Sequence, residues 1–193
     1  MSATAHILLI SGSLRAGSTN QAVLKTAAEL VPSGLSTHLF EGMAALPHFN
    51  PDDDAEDRPM HPAVVRLRHA VNAADALLLC TPEYAGALPG ALKNLLEWTV
   101  GDGSTYQKPI AWINAAGPAA PTAAADAHES LRKVLRYVHA TIVEDACVRI
   151  PITRSDVDAD GTIADRGRRA QISEVLETLG TAVRSRASGD VRS

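Results

Sequence analysis

The segment Ser11-Gly12-Ser13-Leu14-Arg15-Ala16-Gly17-Ser18-Thr19-Asn20 gathers most of the side chains in this sequence that could do chemistry. It follows an apolar run, His6-Ile7-Leu8-Leu9-Ile10, and leads into a helical pattern. A glycine-rich turn from strand to helix aims backbone N–H groups and the positive end of the helix at one point, which makes an anion site. Ser11, Ser13, Ser18 and Thr19 add hydroxyls and Asn20 an amide. Arg15 adds a fixed positive charge suited to phosphate. A P-loop would need Lys-Ser or Lys-Thr after its second glycine, and Gly17 is followed by Ser18-Thr19. The three glycines of G-x-G-x-x-G are also absent. A monophosphate met by hydroxyls and one arginine fits better. The plain alternative is that Gly12 and Gly17 only turn the chain.

Two further segments complete the picture. Thr81-Pro82-Glu83-Tyr84-Ala85-Gly86-Ala87-Leu88 follows another apolar run, and its small residues Ala85, Gly86 and Ala87 let backbone approach a flat ring closely. Tyr84 offers an aromatic face or a hydroxyl. The alternative is a plain turn with Tyr84 packed elsewhere. Asn114-Ala115-Ala116-Gly117-Pro118-Ala119 ends a third run and is again small and turn-prone. In an open parallel sheet, ligands bind beyond the carboxyl ends of the strands where strand order reverses. The three segments would flank that crevice in the strand order 2-1-3-4-5.

The elements that must position these loops read as β-α repeated five times. Continuous apolar runs at His6 to Ile10, Asp75 to Cys80 and Pro109 to Ile113 suit strands buried on both faces. Leu35 to Phe40 is a weaker strand candidate, as is Ala140 to Val143, with a possible continuation to Ile150. Helical stripes fall between them: Leu24, Ala27, Ala28 and Val31; Val64, Leu67 and Val71; Leu131, Val134, Leu135 and Val138; Ile172, Val175, Leu176, Leu179 and Val183. Pro89 suits the first position of a helix running to about Trp98. The pattern predicts an α/β fold, a doubly wound five-stranded parallel sheet with helices on both faces. One domain spans 1–183, and Arg184 to Ser193 reads as a polar, frayed tail. Asn50 to Arg58, with five acidic residues, reads as an exposed loop.

The 193 residues carry a net charge of −4 and 46% hydrophobic residues. That balance argues against a nucleic-acid partner, which would require a basic patch. Two cysteines exclude a disulfide scaffold and suit a reducing, cytoplasmic compartment. No apolar run is long enough for a membrane span. Asp156-Val157-Asp158-Ala159-Asp160-Gly161 looks like the start of a calcium loop, but Gly167 stands where the bidentate glutamate is required. No metal site is expected. His128 reads as a solvated helix histidine, and Cys80 as core filling.

The sequence resembles the NAD(P)H-dependent FMN reductases of flavodoxin-like fold. The resemblance spans about Ile7 to Val183. It rests on Gly12 to Asn20 together with Thr81-Pro82-Glu83-Tyr84 and Pro89-Gly90-Ala91-Leu92-Lys93-Asn94. It implies FMN as cofactor, with NADPH or NADH as co-substrate. Ser13, Arg15, Ser18 and Asn20 would hold the phosphate, while Pro82, Glu83, Tyr84 and Gly86 would line the isoalloxazine. Amides from Ala115 to Ala119, Gly117 among them, would stabilise negative charge on the reduced ring. Where many members carry asparagine and serine, this chain has Ala85 and Ala87. The cofactor carries the chemistry, so no catalytic acid or base is expected. Electrons would pass from nicotinamide to flavin and then to a small-molecule acceptor: a quinone, azo compound, metal ion or free flavin. Relatives form dimers or tetramers, which makes Leu92, Leu96 and Trp98 interface candidates unless they pack under the sheet. A flavodoxin-like electron carrier and a flavin-free binding module are the alternatives. Seven aromatics and a charge of −4 disfavour the first, and an intact set of phosphate donors disfavours the second.

Overall fold

The structure, a computed structural model, describes residues 4–117 and 124–189. Its elements in chain order are β1 (Ala5–Ser11), α1 (Thr19–Glu29), β2 (Leu35–Phe40), α2 (Pro62–Ala73), β3 (Ala76–Cys80), α3 (Gly90–Glu97), β4 (Pro109–Asn114), α4 (Ala125–Tyr137), β5 (Thr141–Ile142), β6 (Val148–Arg149) and α5 (Arg166–Gly189). The sheet is parallel throughout, in the order β2-β1-β3-β4-β5, with β6 also on β4. The doubly wound architecture is the expected one.

Every residue of β3 and β4 is buried, because both faces of these strands are covered. Ile7, Leu9, Leu78 and Ile113 pack on α1 and α5, while Leu8, Ile10, Leu77, Leu79 and Trp112 pack on α2, α3 and α4. Each such side chain contributes about 1.5–3 kcal/mol over leaving it in water. The edge strand β2 is buried only at its two ends. Helix starts follow from local chemistry. Ser18 caps α1 by accepting from Gln21 N, and the His61 ring accepts from Ala63 N ahead of Pro62. Ala124 cannot cap α4, so Glu83 reaches across from the loop after β3 and accepts from Ala127 N at 3.1 Å.

The structure corrects some expectations and sharpens others. The fifth strand is split: β5 pairs with Pro109–Ile110 of β4 and β6 with Ile113–Asn114. A 3-10 turn at Glu144–Ala146 lies between them, where Arg132 of α4 holds Glu144 with two hydrogen bonds of 3.0 and 2.7 Å. The polar stretch from Arg184 is helical through Gly189, and Arg186 donates to Gln107 O at 2.6 Å. Residues 190–193 lie outside the described ones. The acidic segment is anchored at one point, because Arg68 pairs with Asp54 at 2.6 Å and both side chains are largely buried. Just before it, Asn94 and Trp98 both donate to Pro47 O at 2.9 Å. Within the first stripe, Leu24 and Ala27 are buried as expected, but Ala28 is exposed and α1 ends before Val31, with Ala22 and Val23 completing the buried face. Finally, Leu92 and Leu96 of α3 and Trp98 at its C-terminal cap are fully buried on the sheet, the core packing that was the alternative to an interface. Among the described residues, no helix is long and apolar enough to cross a membrane.

Candidate functional site

The loops after β1, β3 and β4 meet at the carboxyl edge of the sheet, on either side of the point where strand order reverses. The first and second are stitched together closely. Gly12 N donates to Cys80 O at 2.7 Å, and a Cβ at Gly12 would stand 2.6 Å from Thr81 Oγ1. Only glycine lets the first loop run against the end of β3. Ser13 Oγ and Tyr84 Oη lie 3.5 Å apart, bridging the two loops.

Within the first loop the serines order the backbone. Ser11 Oγ accepts from Ser13 N and donates to Ser13 O, and Ser13 Oγ accepts from Arg15 N. Ser18 Oγ is the α1 cap acceptor and keeps its O–H for another partner. Thr19 opens α1 and is half-buried. The amides of Ser18, Thr19 and Asn20 have no acceptor among the described residues, as expected at a helix start. Arg15 is exposed, and its guanidinium forms no ion pair among the described residues. Asn20 is turned inward instead: Oδ1 accepts from Cys80 Sγ at 3.3 Å, leaving only Nδ2 for a ligand.

In the second loop Tyr84 and Ala87 exchange both backbone hydrogen bonds around Ala85 (φ 51°) and Gly86 (φ 70°). Two successive residues with positive φ make a type I′ turn, for which Asn-Gly is the favoured pair. Gly86 faces open space, and Tyr84 is 50% exposed. Pro82 is half-buried behind them. Glu83 points to α4, so its carboxylate is committed to Ala127 N rather than to the crevice alone. In the third loop Asn114 Oδ1 accepts from Ala116 N at 2.7 Å, and Ala115 is buried. Gly117 O accepts from Arg149 Nη2 at 3.2 Å. Pro118 and Ala119 lie outside the described residues.

Behind this third loop sits a polar group that sequence patterns alone did not reveal. Trp112 Nε1, Asn114 Nδ2, His128 Nε2 and Arg149 Nε are all buried without a hydrogen-bond partner among the described residues. The His128 ring stands edge-on to Trp112 at 5.6 Å, so it is not the solvated histidine expected. Burial holds its proton affinity below the usual value. Arg132 and Arg149 add repulsion, and Glu83 opposes them. The one available signal was Asn114, an amide two residues from Trp112 and so on the same face of an otherwise apolar strand. Cys80 is core filling as expected, and burial raises its thiol pKa far out of range for a nucleophile. Asp156 of the calcium-like segment is occupied by Thr153 and Arg168.

A doubly wound sheet of this order, with an anion-receiving loop at its switch point, defines a flavodoxin-like protein. The family can be stated as well. A family model described as NADPH-dependent FMN reductase matches residues 5–153. An NAD(P)H-dependent FMN reductase of Pseudomonas aeruginosa is 37% identical over 186 residues, covering 95% of this chain and 98% of that one. A 2-hydroxy-1,4-benzoquinone reductase of Burkholderia is 32% identical, covering 93% and 97%. Among solved structures, the flavoenzyme NAD(P)H:(acceptor) oxidoreductase of Paracoccus denitrificans superposes with a TM-score of 0.80 at 27% identity, covering 94% and 98%. The chain belongs to the NADPH-dependent FMN reductase family. It is an oxidoreductase whose cofactor is FMN and whose reductant is NAD(P)H.

The residues present fit FMN. Free amides at the start of α1 and the unpaired Arg15 suit a phosphate, and the open side of Gly86 leaves room for a flat ring.

Proposed function

We propose that this protein is a quinone-type reductase that holds FMN by the thirteen residues named from the sequence, with unequal roles. Arg15, the amides of Ser18 and Thr19, the hydroxyls of Ser13 and Ser18, and Asn20 Nδ2 bind the phosphate, while Ser11, whose O–H is spent on Ser13 O, shapes the loop that presents them. Pro82, Tyr84, Ala85 and Gly86 support the ring. Ala115 and Gly117 border it, and Glu83 orients the second loop by tying it to α4. When bound, FMN accepts hydride from the nicotinamide and returns it to the acceptor. The chain contributes position and charge. The small side chains around Gly86 leave one ring face open, so donor and acceptor use it in turn.

The convergence of a charged, unpaired anion loop with a ring-sized turn is the observation that carries this reading. A small quinone as acceptor is supported by the relatives, which include the benzoquinone reductase already described and a quinone reductase of Escherichia coli at 26% identity. A homodimer in the cytoplasm is the corresponding state. An apolar groove of about 740 Å³ runs between α3 and α4, and Tyr137 on its rim is 80% exposed. The groove floor is apolar, with Leu88, Leu96 and Val134, and its charged rim is partly self-paired through Lys93 and Glu97 at 2.6 Å, a face that a second copy related by a two-fold axis could cover.

An anaerobic spectrum tests the function. The FMN-loaded protein should bleach on adding NADPH or NADH and recover with one equivalent of p-benzoquinone, with parallel double-reciprocal lines in steady state. Failure to bind FMN would sink the enzyme reading. Recovery with free FMN but not with benzoquinone would shift the acceptor to flavin.

A further inference from the structure

Arg149 carries a positive charge that no ion pair matches among the described residues. It ends β6, with its Cα paired to Asn114 at the carboxyl end of β4. Its Nη2 donates to Gly117 O, while its Nε is buried and has no partner among the described residues. No carboxylate lies within ion-pair distance of it among the described residues, and residues 118–123 contain no acidic side chain. Its basic neighbour on α4 differs in this respect. Arg132 is matched by two hydrogen bonds to Glu144. A half-buried, unmatched guanidinium is costly to keep, and such groups concentrate where a charge is to be met.

We infer that Arg149 is a positioning residue that sets the electrostatics of the third loop, so that the site favours reduced FMN over oxidised FMN. The inference rests on the reading of Ala115 to Gly117 as a wall of the flavin crevice. A hydride brings two electrons and one proton, so its transfer leaves the ring one negative charge richer and the nicotinamide one positive charge richer. A cation behind the loop attracts that new charge and has little effect on the neutral oxidised ring. The bond to Gly117 O couples the same guanidinium to the loop backbone. Its neighbours Trp112, Asn114 and His128 add no negative charge, and Glu83, the carboxylate that acts on the same His128, is hydrogen-bonded to Ala127 N and forms no ion pair with Arg149.

The test compares dissociation constants for oxidised and dithionite-reduced FMN, measured anaerobically by titration of the apoprotein. Arg149→Met should leave the oxidised form within about twofold and weaken the reduced form about tenfold. That factor equals about 1.4 kcal/mol, or about 30 mV in a two-electron midpoint potential. Arg149→Lys keeps the charge and should restore the ratio to within about threefold. If Arg149→Met melts early, Arg149→Gln keeps a donor for Gly117 O without the charge and should show the same selective loss. Equal losses for both forms would make Arg149 a scaffold of the loop and overturn the inference, as would no change in either form. A wild-type protein that binds neither form would instead overturn the flavin reading itself.

Discussion

At the scale of single residues the sharpest expectation belongs to Arg15. It is the one formal positive charge in the Ser11 to Asn20 loop, and it has no competing ion pair among the described residues. Hydrogen bonds to charged groups contribute about 1.5–3 kcal/mol, so Arg15→Ala should weaken FMN about 10- to 150-fold. Riboflavin, which has the same ring and no phosphate, is the control, and its affinity should hardly change. Equal losses would move Arg15 from the phosphate to the ring or the fold. Ala85 offers a second test. Holding a Cβ at φ 51° costs about 1–2 kcal/mol, and glycine costs about 0.5–1 kcal/mol in chain entropy. Ala85→Gly should therefore raise the stability of the apoprotein by about 0.5–1 kcal/mol in urea denaturation. A loss would mean that the Ala85 methyl packs on something the turn needs.

At the scale of elements, the join of β4, β6 and α4 should respond to pH. The folded protein disfavours the His128 cation, chiefly through burial and further through Arg132 and Arg149, with Glu83 opposing them. The unfolded chain protonates the same imidazole at about pH 6.5. The unfolded state thus binds more protons as pH falls below that value, and folding stability drops with it. His128→Gln should flatten this limb. In paired melts from pH 8 to pH 5, the wild-type advantage should shrink or reverse below about pH 6.5. A constant difference across that range would mean that His128 titrates alike in both states. Much at this scale was legible in the sequence. The runs at Asp75 to Cys80 and Pro109 to Ile113 announced strands buried on both faces. The break at Glu144 was not legible, since it depends on Arg132 lying one helix away.

At the scale of the whole molecule, the open groove between α3 and α4 predicts association. Tyr137→Glu places a carboxylate on its rim without touching the core, so the monomer should fold normally. The expected result is a dimer for wild type and a monomer for the variant in sedimentation velocity at micromolar concentration. A wild-type monomer would remove the proposed role of the groove. An unchanged dimer in the variant would move the interface to another face.

The sequence by itself determined the layer order and the anion loop, because both rest on short-range facts. Continuous apolar runs demand cover on both faces, and a glycine–serine turn ahead of a helix exposes amides that have no acceptor among the described residues. It also named the residues of all three crevice loops. Only the tertiary structure decided what each of those residues can offer. Asn20 lost half its amide to Cys80, Glu83 was drawn off to cap a helix that Ala124 could not, and Leu92, Leu96 and Trp98 went to the core. Arg149 and His128 acquired their setting in the same way. A side chain's partners come from strands and helices brought together by folding, and no local pattern records which neighbours those will be.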